Sequence, residues 1–242
     1  MSLDSPFARK LSTFVTLSGN DLTVLSDLHR RRRRFLSGRD MMSQGEANQA
    51  AYILASGWVC YYVLLRNGAK QIVEIQVPGD FLGLRSVLFR TSDQSITTIT
   101  EVEASEVLAR DLLDAFSSTP RLATAVLWAA SRDQAMMAEH LVGMGRRDAA
   151  QRLAHFILEL AARLILVGQG SKSRFACPLT QYQLADVLGI SAVHVNRVLR
   201  ELRVAGMMTF RDGHVTFEDF DRLVVYADFD IAYLDHGGPL LR

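Results

Sequence analysis

Val193, Asn196 and Arg197 stand at i, i+3 and i+4 in the segment SAVHVNRVLRELRV, a spacing that sets all three on one face of a helix near its N-terminus. An arginine fork can donate two bonds to O6 and N7 of guanine, and an asparagine amide can pair with N6 and N7 of adenine or hold a phosphate. Valine offers only apolar contact, such as packing on a thymine methyl. His194 adjoins this face, and a phosphate contact, a base contact and a solvated helix histidine are all open to it. Thr180, Gln181 and Ser191 fall in the first turns of two consecutive helices, where backbone N–H groups can hold phosphate oxygens. Arg200 and Arg211 add cationic contacts to the backbone. The chemistry these residue types share is sequence reading on double-stranded DNA.

Such side chains act only if a scaffold points them into the major groove. Thr180 is a good N-cap for a helix carrying Leu184, Val187 and Leu188 on one face, and Gly189 stands where that helix must stop. Ser191 then caps a second helix whose Val195, Val198, Leu199 and Leu202 form the buried stripe. Its opposite face holds Ala192, Val193, Asn196, Arg197 and Arg200. Arg203 is read as an exposed residue, solvated or ion-paired with Glu201. Two short strands joined by Asp212-Gly213 follow, which makes the whole a helix-turn-helix with a wing.

The net charge of +1 fits a DNA binder only when resolved by segment. Between Lys172 and Arg211 six basic residues face two acids, giving +4, whereas between Glu218 and Asp235 one arginine faces six acids, giving −5. A local basic face is what phosphate attraction requires, and the acidic tail is expected to lie away from DNA. The chain has 242 residues, 49% of them hydrophobic and 22% charged, as in a folded protein of one large or two ordinary domains. It has no apolar run of membrane-spanning length and no signal-like start, so a cytoplasmic location is expected. Cys60 and Cys177 make neither a disulfide framework nor a four-thiolate cluster site.

Upstream the pattern changes twice. Ser18 followed by a short apolar period predicts a capped helix. From about Arg31 to Arg110, alternating aromatic and β-branched segments with turns at Arg66-Asn67-Gly68 and Pro78-Gly79-Asp80 predict a compact β-barrel or jelly roll. A short helix then ends before Pro120. A long one follows from Arg121 to Met144, with Leu122, Val126, Ala129, Met136 and Val142 or Gly143 near one stripe. That stripe is read as a self-association seam, with packing on the chain's own β domain as the alternative. Gly143 and Gly145 are read as bracketing a hinge, after which Asp148 starts an amphipathic helix. The fold class is therefore α+β, with a β-roll over 1–118, a dimerisation helix and hinge over 119–146, and a winged helix-turn-helix over 147–242. The arginines Arg30 to Arg34 are read as a solvated edge or a charge network with the acidic tail.

In this order the pieces resemble the CRP/FNR family of bacterial transcription regulators, over nearly the whole chain. PGDFLG (Pro78–Gly83), GRRDAAQRLAHFILELA (Gly145–Ala161), the segment Leu179–Met207 and the ending DFDIAYL carry the resemblance. It implies a cyclic-nucleotide-binding-like roll and a homodimer on a two-fold symmetric promoter site, in contact with RNA polymerase. It also implies base reading by Val193, Asn196 and Arg197. Family members often carry glutamate at the first of these, so Val193 predicts a half-site of its own.

The family's β-roll often holds an effector. Members that bind cyclic nucleotides have a glutamate just after the GDFLG-like turn and an arginine about a dozen residues later. This chain has Gly83-Leu84-Arg85 and Gln94-Ser95-Ile96 at those places. Gly83, Leu84, Arg85, Ser95 and Ile96 are thus candidate pocket residues for an unidentified effector, without the fixed positive partner a buried phosphate needs. Arg85 reads as a surface residue. The oxygen-sensing cysteine set is missing, and His29 stands alone before residue 140, so no metal or other cofactor is expected. A small-molecule-gated regulator with an atypical pocket is one rival. An enzyme on a cupin-like barrel is another, and it lacks both a metal set and a nucleophile–base pair.

Overall fold

The computed structural model describes residues 5–47, 50–235 and 237, so the outermost bounds of the expected domains lie outside it. Contacts divide the chain into two compact units, one within 1–63, 73–133 and 235–242, the other within 64–72 and 134–234.

In the first unit, helices α1 (Pro6–Ser12) and α2 (Gly19–Leu28) precede the strands. Ser18 and Asp21 close a reciprocal capping box on α2, with each backbone amide donating to the other's side chain at 2.8 and 3.2 Å. α1 has only seven residues, too few for a period to be read. Among the described residues eight strands follow, β1 (Arg32–Phe35), β2 (Asp40–Met42), β3 (Ala50–Ser56), β4 (Val59–Leu64), β5 (Lys70–Gln76), β6 (Phe81–Leu82), β7 (Ser95–Thr98) and β8 (Val102–Leu108), with the short helix α3 (Leu84–Leu88) between β6 and β7. They form two four-stranded sheets, ordered β1-β8-β3-β6 and β2-β7-β4-β5, as a β-roll should. Gly57 turns β3 into β4 at a φ of 84°, and a Cβ there would lie 2.2 Å from the Glu101 carbonyl oxygen, so only glycine fits.

One apolar core fills the roll, with Met42, Leu54, Val59, Leu82, Ile96 and Val102. A second lies outside it, where Phe7, Leu11 and Leu25 of the N-terminal helices meet Ile53, Val107 and the helices α4 (Ala109–Ser118) and α5 (Pro120–Arg146). Lys10 is buried there, its Nζ 2.8 Å from Asp80 Oδ1 and 3.8 Å from Asp133 Oδ1. The second Asp80 oxygen accepts from the Val77 amide at 2.8 Å, which fixes the Pro78-Gly79-Asp80 turn.

Arg30 to Arg34 each find a carboxylate within the first unit. Arg30 pairs with Asp27, Arg31 with Asp111, Arg32 with Glu103, Arg33 with Glu106 and Arg34 with Glu101. The cause is strand register: β1 runs antiparallel to β8, setting Arg32 opposite Ser105 and Arg34 opposite Glu103.

The stripe read on the long helix as a self-association seam is instead the face that the chain buries itself. Leu122, Val126 and Ala129 belong to the outer core of the first unit, and Met136 packs with Ala162 and Leu234 in the second. A full apolar period of 3.6 residues is what a helix lays on its own core. Another stripe of α5 is left open: Thr124, Leu127, Ser131, Gln134, Ala138, Leu141 and Gly145 are all exposed and alternate by three and four. Leu127 is 63% and Leu141 68% exposed, and no member of this stripe carries charge.

In the second unit α5 continues through Gly143 and Gly145 to Arg146. A Cβ on Gly143 would come within 3.4 Å of Arg152 Cγ, so this glycine admits a neighbouring helix. The break comes at Asp148, whose extended backbone and carboxylate cap α6 (Ala149–Leu166) by accepting from the Ala150 and Gln151 amides, each at 2.9 Å. Glu159 of α6 is fully buried and hydrogen-bonded by His140 Nε2 at 3.1 Å and Tyr233 at 2.9 Å. His140, Arg163 and Tyr233 hold its carboxyl below the usual carboxylate range in spite of burial. The acidic segment after Glu218 is thus partly built in. It forms α9 (Phe220–Tyr226) and a 3-10 turn (Ile231–Leu234), whose Tyr233 and Leu234 pack inward.

Candidate nucleic-acid interface

Two helices carry the predicted side chains, α7 (Gln181–Leu188) and α8 (Ala192–Val204). Thr180 caps α7 through a reciprocal box with Gln183, its Oγ1 accepting from the Gln183 amide at 3.2 Å. Gly189 ends the helix in the left-handed region at φ 64°, as the sharp turn demands. Ser191 caps α8 by accepting from the His194 amide at 3.2 Å. Leu184, Leu188, Val195, Val198 and Leu202 are buried and lock the pair together, while Val187 and Leu199 are half-buried at the margin.

That burial turns the candidate reading face outward. Val193 is 82% exposed, and Asn196, Arg197 and Arg200 are exposed beside it. Gln181 is exposed on the first turn of α7 and Ser191 at the start of α8. The wing is β10 (Met208–Arg211) and β11 (His214–Phe217), joined by Asp212 at φ 50° and Gly213 at φ 69°. Two positive φ values make the two-residue hairpin turn that Asp-Gly favours. Arg211 stands exposed at its tip, opposite His214. The sequence reading missed a third wing strand, β9 (Arg174–Ala176), which pairs with β11 and is too short to show alternation.

Two contacts on these helices also escaped the sequence reading. Arg197 Nη2 lies 2.8 Å from His194 Nε2, and its Nε lies 3.6 Å from Glu201 Oε1. Glu201 therefore faces Arg197, not Arg203, because residues four apart share a helix face and residues two apart do not. The second contact comes from the 64–72 hairpin tip, where Gln71 donates to the Asp186 carbonyl of α7 at 2.5 Å. Burial raises the Asp186 carboxyl against the pull of Lys70. Cys177 is buried under the wing and its thiol is pushed up to about 12, which keeps it neutral.

Residues 151–226 match the Crp-like helix-turn-helix domain, and residues 32–119 match the cyclic nucleotide-binding domain. The chain belongs to the CRP/FNR family of transcription regulators. Its winged helix-turn-helix is that of a DNA-binding transcription regulator. The nitrogen fixation regulation protein FixK of Bradyrhizobium diazoefficiens is 27% identical over 81% of this chain and 82% of its own. FixK of Rhizobium meliloti is 29% identical over 73% and 77%. The solved structure of FixK2 from Bradyrhizobium japonicum superposes with a TM-score of 0.72 at 22% identity, covering 81% of this chain and 96% of that one.

In this CRP/FNR member the candidate effector residues sit in the roll as follows. The Gly83 amide donates to the Tyr61 hydroxyl at 2.6 Å, and a Cβ on Gly83 would lie 3.0 Å from the Met42 methyl. Arg85 lies on the surface in an ion pair with Asp93. The buried Ser95 accepts from the Gln44 amide at 2.9 Å, and Ile96 is wholly buried in the inner core. Leu84 does not join Ile96: it packs on the outer core. The polar groups of these candidates are each engaged by a neighbour: the Gly83 amide by Tyr61, Arg85 by Asp93 and Ser95 by the Gln44 amide.

Proposed function

We propose that the protein is a homodimeric regulator that reads a two-fold symmetric promoter site through α8 and meets RNA polymerase there. The observation that carries this reading is the outward face of Val193, Asn196 and Arg197 on a helix whose other side is locked by Val195, Val198 and Leu202. Arg197 reads guanine, Asn196 reads adenine or holds a phosphate, and Val193 packs on a thymine methyl. Gln181, Ser191, Arg200 and Arg211 surround that face and meet backbone phosphates, with Thr180 beside them. For Thr180 the contact falls to its surroundings, because its hydroxyl already serves the cap.

The open, uncharged stripe of α5 supports the dimer, since alternation by three and four is the seam of a two-stranded coiled coil. The apolar filling around Ile96 and the engaged Gly83 amide support DNA binding without a cyclic nucleotide. The protein acts in the cytoplasm and carries out no catalysis. Selection of bound duplexes from a randomised pool, followed by sedimentation of the free and bound protein, tests this reading. An inverted repeat bound by two chains, with affinity unchanged by added cyclic nucleotides, is expected. A single half-site bound by one chain would overturn it.

A further inference from the structure

Arg197 has two neighbours on its own helix: His194 Nε2 lies 2.8 Å from Nη2, and Glu201 Oε1 lies 3.6 Å from Nε. A guanidinium only donates, so the His194 contact requires a lone pair on Nε2 and therefore a neutral ring with its proton on Nδ1. The ring is itself placed by the helix start, where Ser191 Oγ accepts from the His194 amide. Val193 has no polar atom with which to hold the arginine, so on the N-terminal side of the face His194 is the side chain that meets it. The contact engages one N–H of Nη2 and leaves donors on both terminal nitrogens for a base.

We propose that His194 is a specificity-determining positioning residue: it accepts from Arg197 and presets the guanidinium for the base that Arg197 reads. A long arginine loses rotamer freedom on binding, and a side chain already held by a neighbour loses less. Restraint from His194 and Glu201 also fixes the plane of the fork, and the plane decides whether two bonds to one guanine edge can form together. His194 thereby acts through Arg197 and not by contact of its own. This rests on the reading of α8 as the recognition helix.

The test uses the full chain and the half-site obtained by selection, with every single-base variant of it. Arg197→Ala locates the base pair that Arg197 reads, as the position where preference disappears. His194→Ala should lower the preference at that same base pair roughly three- to ten-fold, the weight of one hydrogen bond, and leave preferences elsewhere and thermal stability unchanged. His194→Gln should restore most of it, since its Oε1 can stand where Nε2 stands and accept the same bond. A His194→Ala protein with full preference at that position overturns the proposal. So does one whose affinity falls equally on all sequences, which is the mark of a phosphate contact. If Arg197→Ala changes no preference anywhere, the recognition-helix reading itself fails.

Discussion

The Tyr233 hydroxyl donates to Glu159 Oε2 at 2.9 Å, tying the 3-10 turn near the end of the described chain to the middle of α6. His140 of α5 bonds the other oxygen at 3.1 Å, so three segments share one buried carboxylate. A charge without exposure is stable only while its partners remain. Tyr233→Phe should therefore lower stability by about 1–3 kcal/mol, and Glu159→Ala by about 3–5 kcal/mol, as read by urea denaturation. Equal stability in both variants would show that the turn is not anchored through Glu159.

Stability should fall in mild acid. Burial pushes His29 in the first unit and His155 in the second down to about 4 from an ordinary 6.5. Above pH 6.5 each is neutral whether folded or unfolded. Between 6.5 and 4 the unfolded chain takes up protons that the folded one refuses, so stability declines as pH falls. The slope is at most about 1.4 kcal/mol per pH unit for each histidine. Glu159, with its carboxyl held low, contributes in the same direction at lower pH still. Thermal melts from pH 7.5 to 4.5 measure this, and a flat profile would contradict burial of the two rings.

The open stripe of α5 and its buried stripe should answer mutation differently. Leu141→Lys should shift the protein from dimer to monomer and weaken DNA binding at least ten-fold with little change in monomer stability, because Leu141 is exposed in the single chain. Leu122→Ala should instead cost about 2–5 kcal/mol of stability and leave the association constant alone. Sedimentation equilibrium separates the two effects.

On the proposed reading surface, Arg197→Ala should cost about 1–3 kcal/mol and relax preference at one base pair, whereas Arg211→Ala should weaken all sequences alike. Fluorescence anisotropy on matched and mismatched duplexes measures both numbers. A sequence-dependent loss from Arg211 would move the wing tip from backbone holding to base reading.

Asp80→Ala leaves the Lys10 ammonium without its 2.8 Å partner inside the first unit. A loss of about 3–5 kcal/mol is expected, with the Val77 turn loosened as well. Lys10→Met should cost less than Asp80→Ala, because Asp80 keeps its bond from the Val77 amide.

Much of the architecture was legible because local signals agree with one another. Ser18, Thr180 and Ser191 mark helix starts, Gly189 a helix end, and Asp212-Gly213 a hairpin, each through chemistry within four residues. What could not be read depends on partners far away in the chain. The α5 stripe through Leu122 and Val126 has the right period for a seam, and only the position of α1, α2 and β3 decides that it is a core face. Lys10 and Asp80 lie 70 residues apart, and Tyr233 and Glu159 74, so neither pair leaves a local pattern. On α8 the types and spacing were sufficient to place Asn196 and Arg197 together on an exposed helix face. The His194–Arg197 contact was not legible, because it depends on side-chain rotamers.

The pairing of Arg30 to Arg34 with Asp27, Asp111, Glu103, Glu106 and Glu101 has a thermodynamic consequence for DNA binding. Each of these five guanidiniums already has a carboxylate neighbour, so this run contributes little to the field that displaces counterions from a duplex. The dependence of affinity on salt concentration should then count only the cations around α7, α8 and the wing. Although nearly a fifth of the chain's 27 basic residues are packed into one short run, that run should be silent when affinity is plotted against ionic strength.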